Sequence, residues 1–200
     1  MVFASRSAAQ TAYMIRMTEI VELAGEPQTF ALLNSRDMLR KLIWEIEELR
    51  STPAYPNGQR IAYRAFNSAI TAWSLVDWVW GDLDVAQRST IGNGNCPSVL
   101  GKYCIGKSPD IEICESIANS SKHRKRLSHL FNPSVRTKMV APVRRFRVGD
   151  PVGQPLATWA WEATILHHGK EYPALDVFVR ASTFWNDLLN YYGIPPVPRG

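Results

Sequence analysis

Hydrophobic residues recur every three or four positions in "QTFALLNSRDMLRKLIWEIEELR", residues 28–50. This spacing places apolar side chains on one face of a helix. The stripe consists of Leu32, Leu39, Leu42, Ile43, Ile46 and Leu49. Proline and glycine in the following "STPAYPNG" end the helix. The pattern predicts an amphipathic helix with one buried face, and a weaker helical pattern precedes it between Ser7 and Ala24.

The next segment, "RIAYRAFNSAITAWSLVDWVWGD", is apolar around most of its circumference. This distribution predicts a central helix that other elements cover on several sides. On a helical wheel, one arc holds Phe66, Ile70, Trp73 and Asp77, and another holds Arg64, Asn67, Ser68, Thr71 and Ser74. We therefore expect Asp77 to be buried among aromatic side chains. A buried carboxylate needs a partner, which we expect on the helix that begins at Pro109.

Residues 81–107 are rich in glycine, asparagine and proline and predict a long loop. The "SPD" that follows predicts a helix start, with Ser108 as the N-cap and Pro109 in the first turn. Its predicted buried arc consists of Ile113, Cys114, Ile117, Ala118 and Ser121. The opposite side is predicted to carry Glu112, Ser116, Asn119 and His123.

Beyond "FNP" at 131–133 the apolar period changes from a helical one to two. "VAPVRRFRVG" and "LATWAWEATIL" predict strands, and "HHGKEY" predicts a turn into a short third strand. An amphipathic helix, "ALDVFVRASTFWNDLLNYYG", follows. We therefore predict an α+β fold, mainly α, in which a small antiparallel β-sheet is inserted before the C-terminal helix of an antiparallel bundle of four to five helices. The prediction is one domain over 1–200, with a helical core at 28–130, the sheet at 134–175 and the closing helix at 176–192.

Charge changes this picture because it is unevenly distributed. Residues 116–149 contain nine lysines and arginines and no acidic residue, whereas the rest of the chain has 14 such cations and 18 acidic residues. This basic segment predicts a face that binds nucleic acid. Its candidate binding residues are Lys122, Lys125, Arg126, Arg136, Lys138, Arg144, Arg145 and Arg147. A solvated basic surface with no ligand is the alternative interpretation.

The remaining composition argues against several classes of protein. We find no secretory signal and no run of about 20 apolar residues, and the three cysteines have no framework spacing, so we expect a cytoplasmic location and no membrane. The cysteines form no Cys-x-x-Cys pair, and Cys114 falls on the predicted buried arc. His167 and His168 are predicted to sit at a turn and to point to opposite sides of a strand, which disfavours a shared ligand role. We therefore expect neither a metal site nor a cofactor.

Asn119 and His123 are four residues apart on a helix, so their side chains are neighbours. Histidine near neutral pH can move the proton of an RNA 2′-hydroxyl or protonate the leaving oxygen. An asparagine and a cation can hold the phosphate. The pair predicts either an RNA-cleaving site or a solvated helix face.

"ANSSKH" resembles the Asn-x-x-x-His core of the HEPN superfamily, in which an arginine directly precedes the asparagine and Ala118 stands here. Arg124, four residues and His129 give a second match by spacing. The likeness covers about residues 30–130 and implies a metal-independent RNase, of a toxin or phage-defence system, that acts as a homodimer. It implies that His123 is the acid/base group, that Asn119 positions the phosphate and that Arg124 or Lys122 stabilises charge. Asp77 resembles an acidic residue that orients the motif in some members.

Two other functions remain open from the sequence. One is a non-catalytic module that binds RNA, or else DNA, through the same basic segment. The other is an interaction or regulatory protein whose basic face meets an acidic partner.

Overall fold

The computed structural model describes residues 32–52, 58–122, 132–141, 143–145, 157–159 and 161–195. At 121–122, 143–145 and 157–159 it describes the backbone only. From Asn34 onward these residues belong to one compact unit of the chain. The predicted helical stretch between Ser7 and Ala24 lies outside the described residues, and the single domain over 1–200 stays a prediction.

The described residues contain six helices and five strands. The helices are α1 (Ser35–Arg50), α2 (Gly58–Asp82), α3 (Val85–Ile91), α4 (Pro97–Lys107), α5 (Pro109–Lys122) and α6 (Ala174–Tyr191). The strands are β1 (Val135–Val140), β2 (Val143–Arg145), β3 (Ala157–Trp159), β4 (Glu162–His167) and β5 (Lys170–Pro173). The predicted class, mainly α with a small antiparallel sheet before the C-terminal helix, is confirmed.

Helix α1 begins later than predicted because Asn34 caps it. The Asn34 side chain accepts a hydrogen bond from the backbone N–H of Asp37 at 3.0 Å, which satisfies one of the free donors at the helix start. The predicted stripe is buried at Leu39, Leu42, Ile46 and Leu49, whereas Ile43 is exposed. Arg36 is also buried, and its guanidinium donates to the carbonyl of Ile194 at 2.7 and 3.0 Å. The start of α1 is thereby fixed to the chain that follows α6.

Helix α2 is the central helix, as predicted, but its orientation differs from the prediction. Ser68 and Thr71, which were assigned to the polar arc, are buried, and Asp77 is exposed. The Ser68 hydroxyl donates to the Arg64 carbonyl at 3.0 Å, and the Thr71 hydroxyl accepts from Lys41 at 2.7 Å. Because both hydroxyls have partners, they can face the core. The prediction of a buried, paired Asp77 is therefore wrong.

The loop predicted at 81–107 is also wrong, because this segment contains α3 and α4. Asp84 and Gln87 form a capping box at the start of α3, with side chain to backbone distances of 2.7 and 2.8 Å. Helix α4 starts with a proline, and its Gly101 brings it close to α2, since a Cβ there would lie 3.0 Å from the Trp73 ring. This glycine therefore serves helix packing rather than a turn.

The strands form two small antiparallel sheets. One has the order β1-β4-β5 and the other pairs β2 with β3. Val135 pairs with His167 at one end of the β1–β4 ladder, and Val140 pairs with Glu162 at the other. The first sheet packs against α2 and α6, and Ile165 and Phe178 are buried there. This arrangement sets β1 beside α5, where the candidate site begins.

Candidate nucleic-acid interface and the neighbouring histidine cluster

Asn119 lies in the last turn of α5 and is half-buried. Four of the five residues predicted to be buried on this helix, Ile113, Cys114, Ile117 and Ala118, are buried. The side chain of the fifth, Ser121, lies outside what the structure describes. Ser116 is buried too, at 5% exposure, so the face predicted to be exposed is partly covered. The Asn119 amide donates to the Glu115 carboxylate at 3.2 Å. Burial raises the pKa of Glu115, and this hydrogen bond opposes the rise. Glu115 therefore orients the amide that was predicted to meet a phosphate.

Several predicted site residues lie outside what the structure describes. These are His123, Arg124, Lys125, Arg126 and Arg147. For Lys122, Arg144 and Arg145 the backbone alone is described, at the end of α5 and in β2. Their roles stay predictions.

Arg136 and Lys138, by contrast, are described and exposed on β1. Lys138 forms an ion pair with Glu171 of β5 at 2.5 Å, and both side chains are about half exposed. A pair this accessible contributes only about 0–1 kcal/mol. Lys138 can therefore exchange this partner for a phosphate at little cost.

A cavity of about 190 Å³ lies between the end of α5, the start of α2 and the β1–β4 ladder. Ser120 lines it from the end of α5 and Lys138 from β1, which are two of the three described parts of the basic segment. Phe66 lines it from α2 and is 37% exposed. Most of the other lining side chains are apolar, including Ile117, Met139 and Phe178. The cavity thus combines an apolar interior with a cation at its rim.

Asp77 is not placed beside this cavity. Phe66 marks the part of α2 that lies level with Ser120 of α5. Asp77 is eleven residues further along α2, which corresponds to about 16 Å of helix. The structure therefore separates Asp77 from the level of Asn119.

Sequence reasoning missed a cluster at the first turn of α5. Glu112, His167 and His168 each offer one potential metal-ligand atom, and these atoms lie within 4.8 Å of one another. The two histidine rings, predicted to point apart, have centroids 4.3 Å apart. His168 and Gly169 have φ of 47° and 78° and form the turn between β4 and β5. The sequence signal for this cluster was "HHG". A turn that needs positive φ at both central residues takes His168 out of the strand, so the strand's alternation of faces does not apply to it.

The surroundings of the cluster contain both signs of charge. Burial lowers the pKa of His167 and His168 lowers it further, whereas Glu112 and Asp110 raise it. Asp110 is buried and accepts three hydrogen bonds from the Arg180 guanidinium at 2.7–3.2 Å. The Arg180 guanidinium therefore already neutralises the Asp110 carboxylate.

Comparison with protein-family models, with curated proteins and with solved structures gives no match. Among the described residues, no helix has both the length and the apolar character that crossing a membrane requires.

Proposed function

We propose that this protein binds single-stranded RNA through its basic segment, residues 116–149, and cleaves it as a HEPN-like, metal-independent RNase. The cavity between α5 and β1 would accept a base, and the cations of the basic segment would follow the phosphates. The alternative, if the protein binds RNA without cleaving it, is a non-catalytic RNA-binding module.

One observation carries the binding part of the proposal. Two of the three described parts of the basic segment, the end of α5 and β1, line the same cavity. Binding single strands commonly combines a cationic groove with an aromatic platform on which bases stack. Lys138 and Phe66 supply one group of each kind at the rim of this cavity.

The cleavage part rests on the sequence around Asn119. His123 follows Asn119 by one helical turn in the sequence, and Arg124 is adjacent to it. Asn119 remains partly accessible, and Glu115 holds its amide. In the proposed reaction His123 transfers the proton, Asn119 positions the phosphate and Arg124 or Lys122 stabilises the developing negative charge. The resemblance to HEPN proteins further implies a homodimer in which two such motifs meet.

The binding proposal predicts that Phe66→Ala weakens affinity for a single-stranded RNA by about 1–3 kcal/mol, because a stacked base loses its aromatic partner. Tyr191→Ala is the matched control, since Tyr191 is also exposed and does not line the cavity. Fluorescence anisotropy over a salt series measures both variants. Equal affinities of Phe66→Ala and Tyr191→Ala contradict the cavity as the RNA site.

The same titration tests the cations. Arg136→Ala combined with Lys138→Ala should reduce the slope of log affinity against log salt by about 0.7 for each phosphate that the protein no longer neutralises. A combined change of Arg50, Lys102 and Lys107, which are exposed and outside the basic segment, should leave the slope unchanged. An unchanged slope in the first variant would show that β1 does not bind phosphate.

The cleavage proposal predicts that His123→Ala reduces RNA cleavage by at least about a hundredfold, because a positioned acid/base group contributes about 10²–10⁴-fold. The assay contains EDTA, and RNA affinity and the unfolding midpoint are measured in parallel. His129→Ala serves as the control in the same segment. Absence of cleavage by the unmodified protein moves the function to the binding module, and loss with His129→Ala alone moves the acid/base role to His129.

A further inference from the structure

The Glu112–His167–His168 cluster joins three elements. Glu112 lies in the first turn of α5, His167 ends β4 and His168 begins the turn into β5. His167 is buried, Glu112 is half-buried and His168 is exposed. The cluster is therefore anchored in the protein and open to solvent on one side.

His167 carries a buried ring nitrogen that lacks a regular hydrogen bond. Its Nε2 makes no hydrogen bond within the described part of the chain, and the residue is 5% exposed. Buried polar atoms of this kind are rare because each costs about 1–3 kcal/mol. This nitrogen forms a long ion-pair contact with Glu112, whose Oε2 lies 3.5 Å away.

That separation fits a shared metal ion better than a hydrogen bond. Hydrogen bonds between nitrogen and oxygen are about 2.7–3.2 Å long. Two ligand atoms that lie about 2.0–2.1 Å from a tetrahedral zinc ion are about 3.3 Å apart. A ring nitrogen of His168 completes three ligand atoms within 4.8 Å of one another, so a small side-chain adjustment suffices to surround an ion.

Further contacts fix the carboxylate as metal ligands are usually fixed. The Asn132 amide donates to Glu112 Oε1 at 2.6 Å and leaves Oε2 turned toward His167. Asn132 is itself held, because its Oδ1 accepts from the Ser134 backbone at 3.0 Å and from the Ser134 hydroxyl at 2.6 Å. The Glu112 carboxylate is therefore oriented before any ion arrives.

We propose that Glu112, His167 and His168 bind a divalent transition-metal ion of the zinc type, which fastens α5 to the β4–β5 hairpin. Two imidazoles and one carboxylate suit zinc, whereas magnesium and calcium prefer oxygen ligands alone. Three protein ligands leave a fourth position for water. The proposal does not depend on RNA binding or cleavage.

The test uses the full-length protein after treatment with chelator and removal of the chelator. Isothermal titration with zinc chloride should give one ion per chain, and the unfolding midpoint should rise with zinc concentration. Magnesium chloride at the same concentrations should leave the midpoint unchanged. Absence of a one-to-one zinc isotherm overturns the proposal.

His168→Asn is the sharpest variant, because asparagine tolerates positive φ and Asn-Gly is favoured in this type of turn. It should weaken zinc binding at least tenfold, while the metal-free protein unfolds at the same or a higher temperature. Glu112→Gln should weaken zinc binding as well, since the amide oxygen can still accept from Asn132 but carries no charge. If either variant binds zinc as the unmodified protein does, the proposal is wrong.

The chain contains four histidines, so the other two provide the matched control. His123→Ala combined with His129→Ala should bind zinc with unchanged affinity. Loss of zinc binding in that double variant, with retention in His168→Asn, would place the ion elsewhere.

Discussion

Asp110 and Asp77 show how differently two carboxylates of one protein are placed. Asp110 is buried and bonded to Arg180 of α6, whereas Asp77 is exposed on α2. A hydrogen bond to a charged group contributes about 1.5–3 kcal/mol to the free energy of unfolding. Since Arg180 is itself 47% exposed, solvent screens part of that contribution.

We expect Asp110→Ala to lower the free energy of unfolding by about 1–3 kcal/mol, because the ion pair between α5 and α6 is removed. Asp77→Ala should change it by no more than about 0.5 kcal/mol, as exposed substitutions usually do. Urea denaturation measures both. Arg180→Ala and the double variant with Asp110→Ala give the coupling between the two side chains. Equal losses for Asp77→Ala and Asp110→Ala would contradict the assigned burial.

Single side chains were the hardest part to predict from the sequence. The wheel of α2 placed Asp77 on the arc assigned to the core and Ser68 and Thr71 on the polar arc, which is the reverse of their burial. Thr71 is buried because Lys41 of α1 reaches it, and a wheel contains no information about a neighbouring helix. His167 and His168 were separated for a similar reason, since strand alternation does not extend into a turn with positive φ.

A side chain caps the start of both α1 and α3, but only α1 has buried residues. Asn34 caps α1, which contributes Leu39, Leu42 and Ile46 to the core. Asp84 caps α3, in which no residue is buried. Loss of a cap costs about 1 kcal/mol in either case, but only a helix in the core transmits that cost to the whole protein.

We therefore expect Asn34→Ala to lower the global free energy of unfolding by about 1 kcal/mol. Asp84→Ala should leave the global value unchanged and accelerate hydrogen exchange of the backbone amides in Val85–Ile91. Urea denaturation and exchange followed by NMR distinguish the two outcomes. A global loss of similar size for Asp84→Ala would show that α3 unfolds only with the rest of the protein.

Elements were predicted better than their boundaries. The periodic segments of α1, α2, α5 and α6 all form helices, because many apolar positions agree on one helical face. α3 and α4 were missed because they are short and the glycines in and around them resemble those of a loop. The predicted strand "LATWAWEATIL" is divided between β3 and β4, and alternation alone does not show where a strand changes sheets.

At the scale of the whole molecule, the class and the position of the sheet followed from the change of period after residue 133. The basic segment was evident from charge alone, and the structure adds that two of its described parts, the end of α5 and β1, meet at one cavity. The sequence did not predict the Glu112–His167–His168 cluster, because Glu112 is more than 50 residues from the two histidines and meets them only after α5 packs beside the hairpin.

The β1–β4 ladder ends at the pair Val140–Glu162, so the segment 141–161 connects the two members of the last pair. β2 and β3 pair with each other in a sheet of their own. Lengthening this connection destabilises the protein only slightly, since each doubling of loop length costs about 0.6 kcal/mol in loop-closure entropy. We therefore expect that the connection carrying Arg144, Arg145 and Arg147 can change in length while the register of the β1–β4 ladder stays the same.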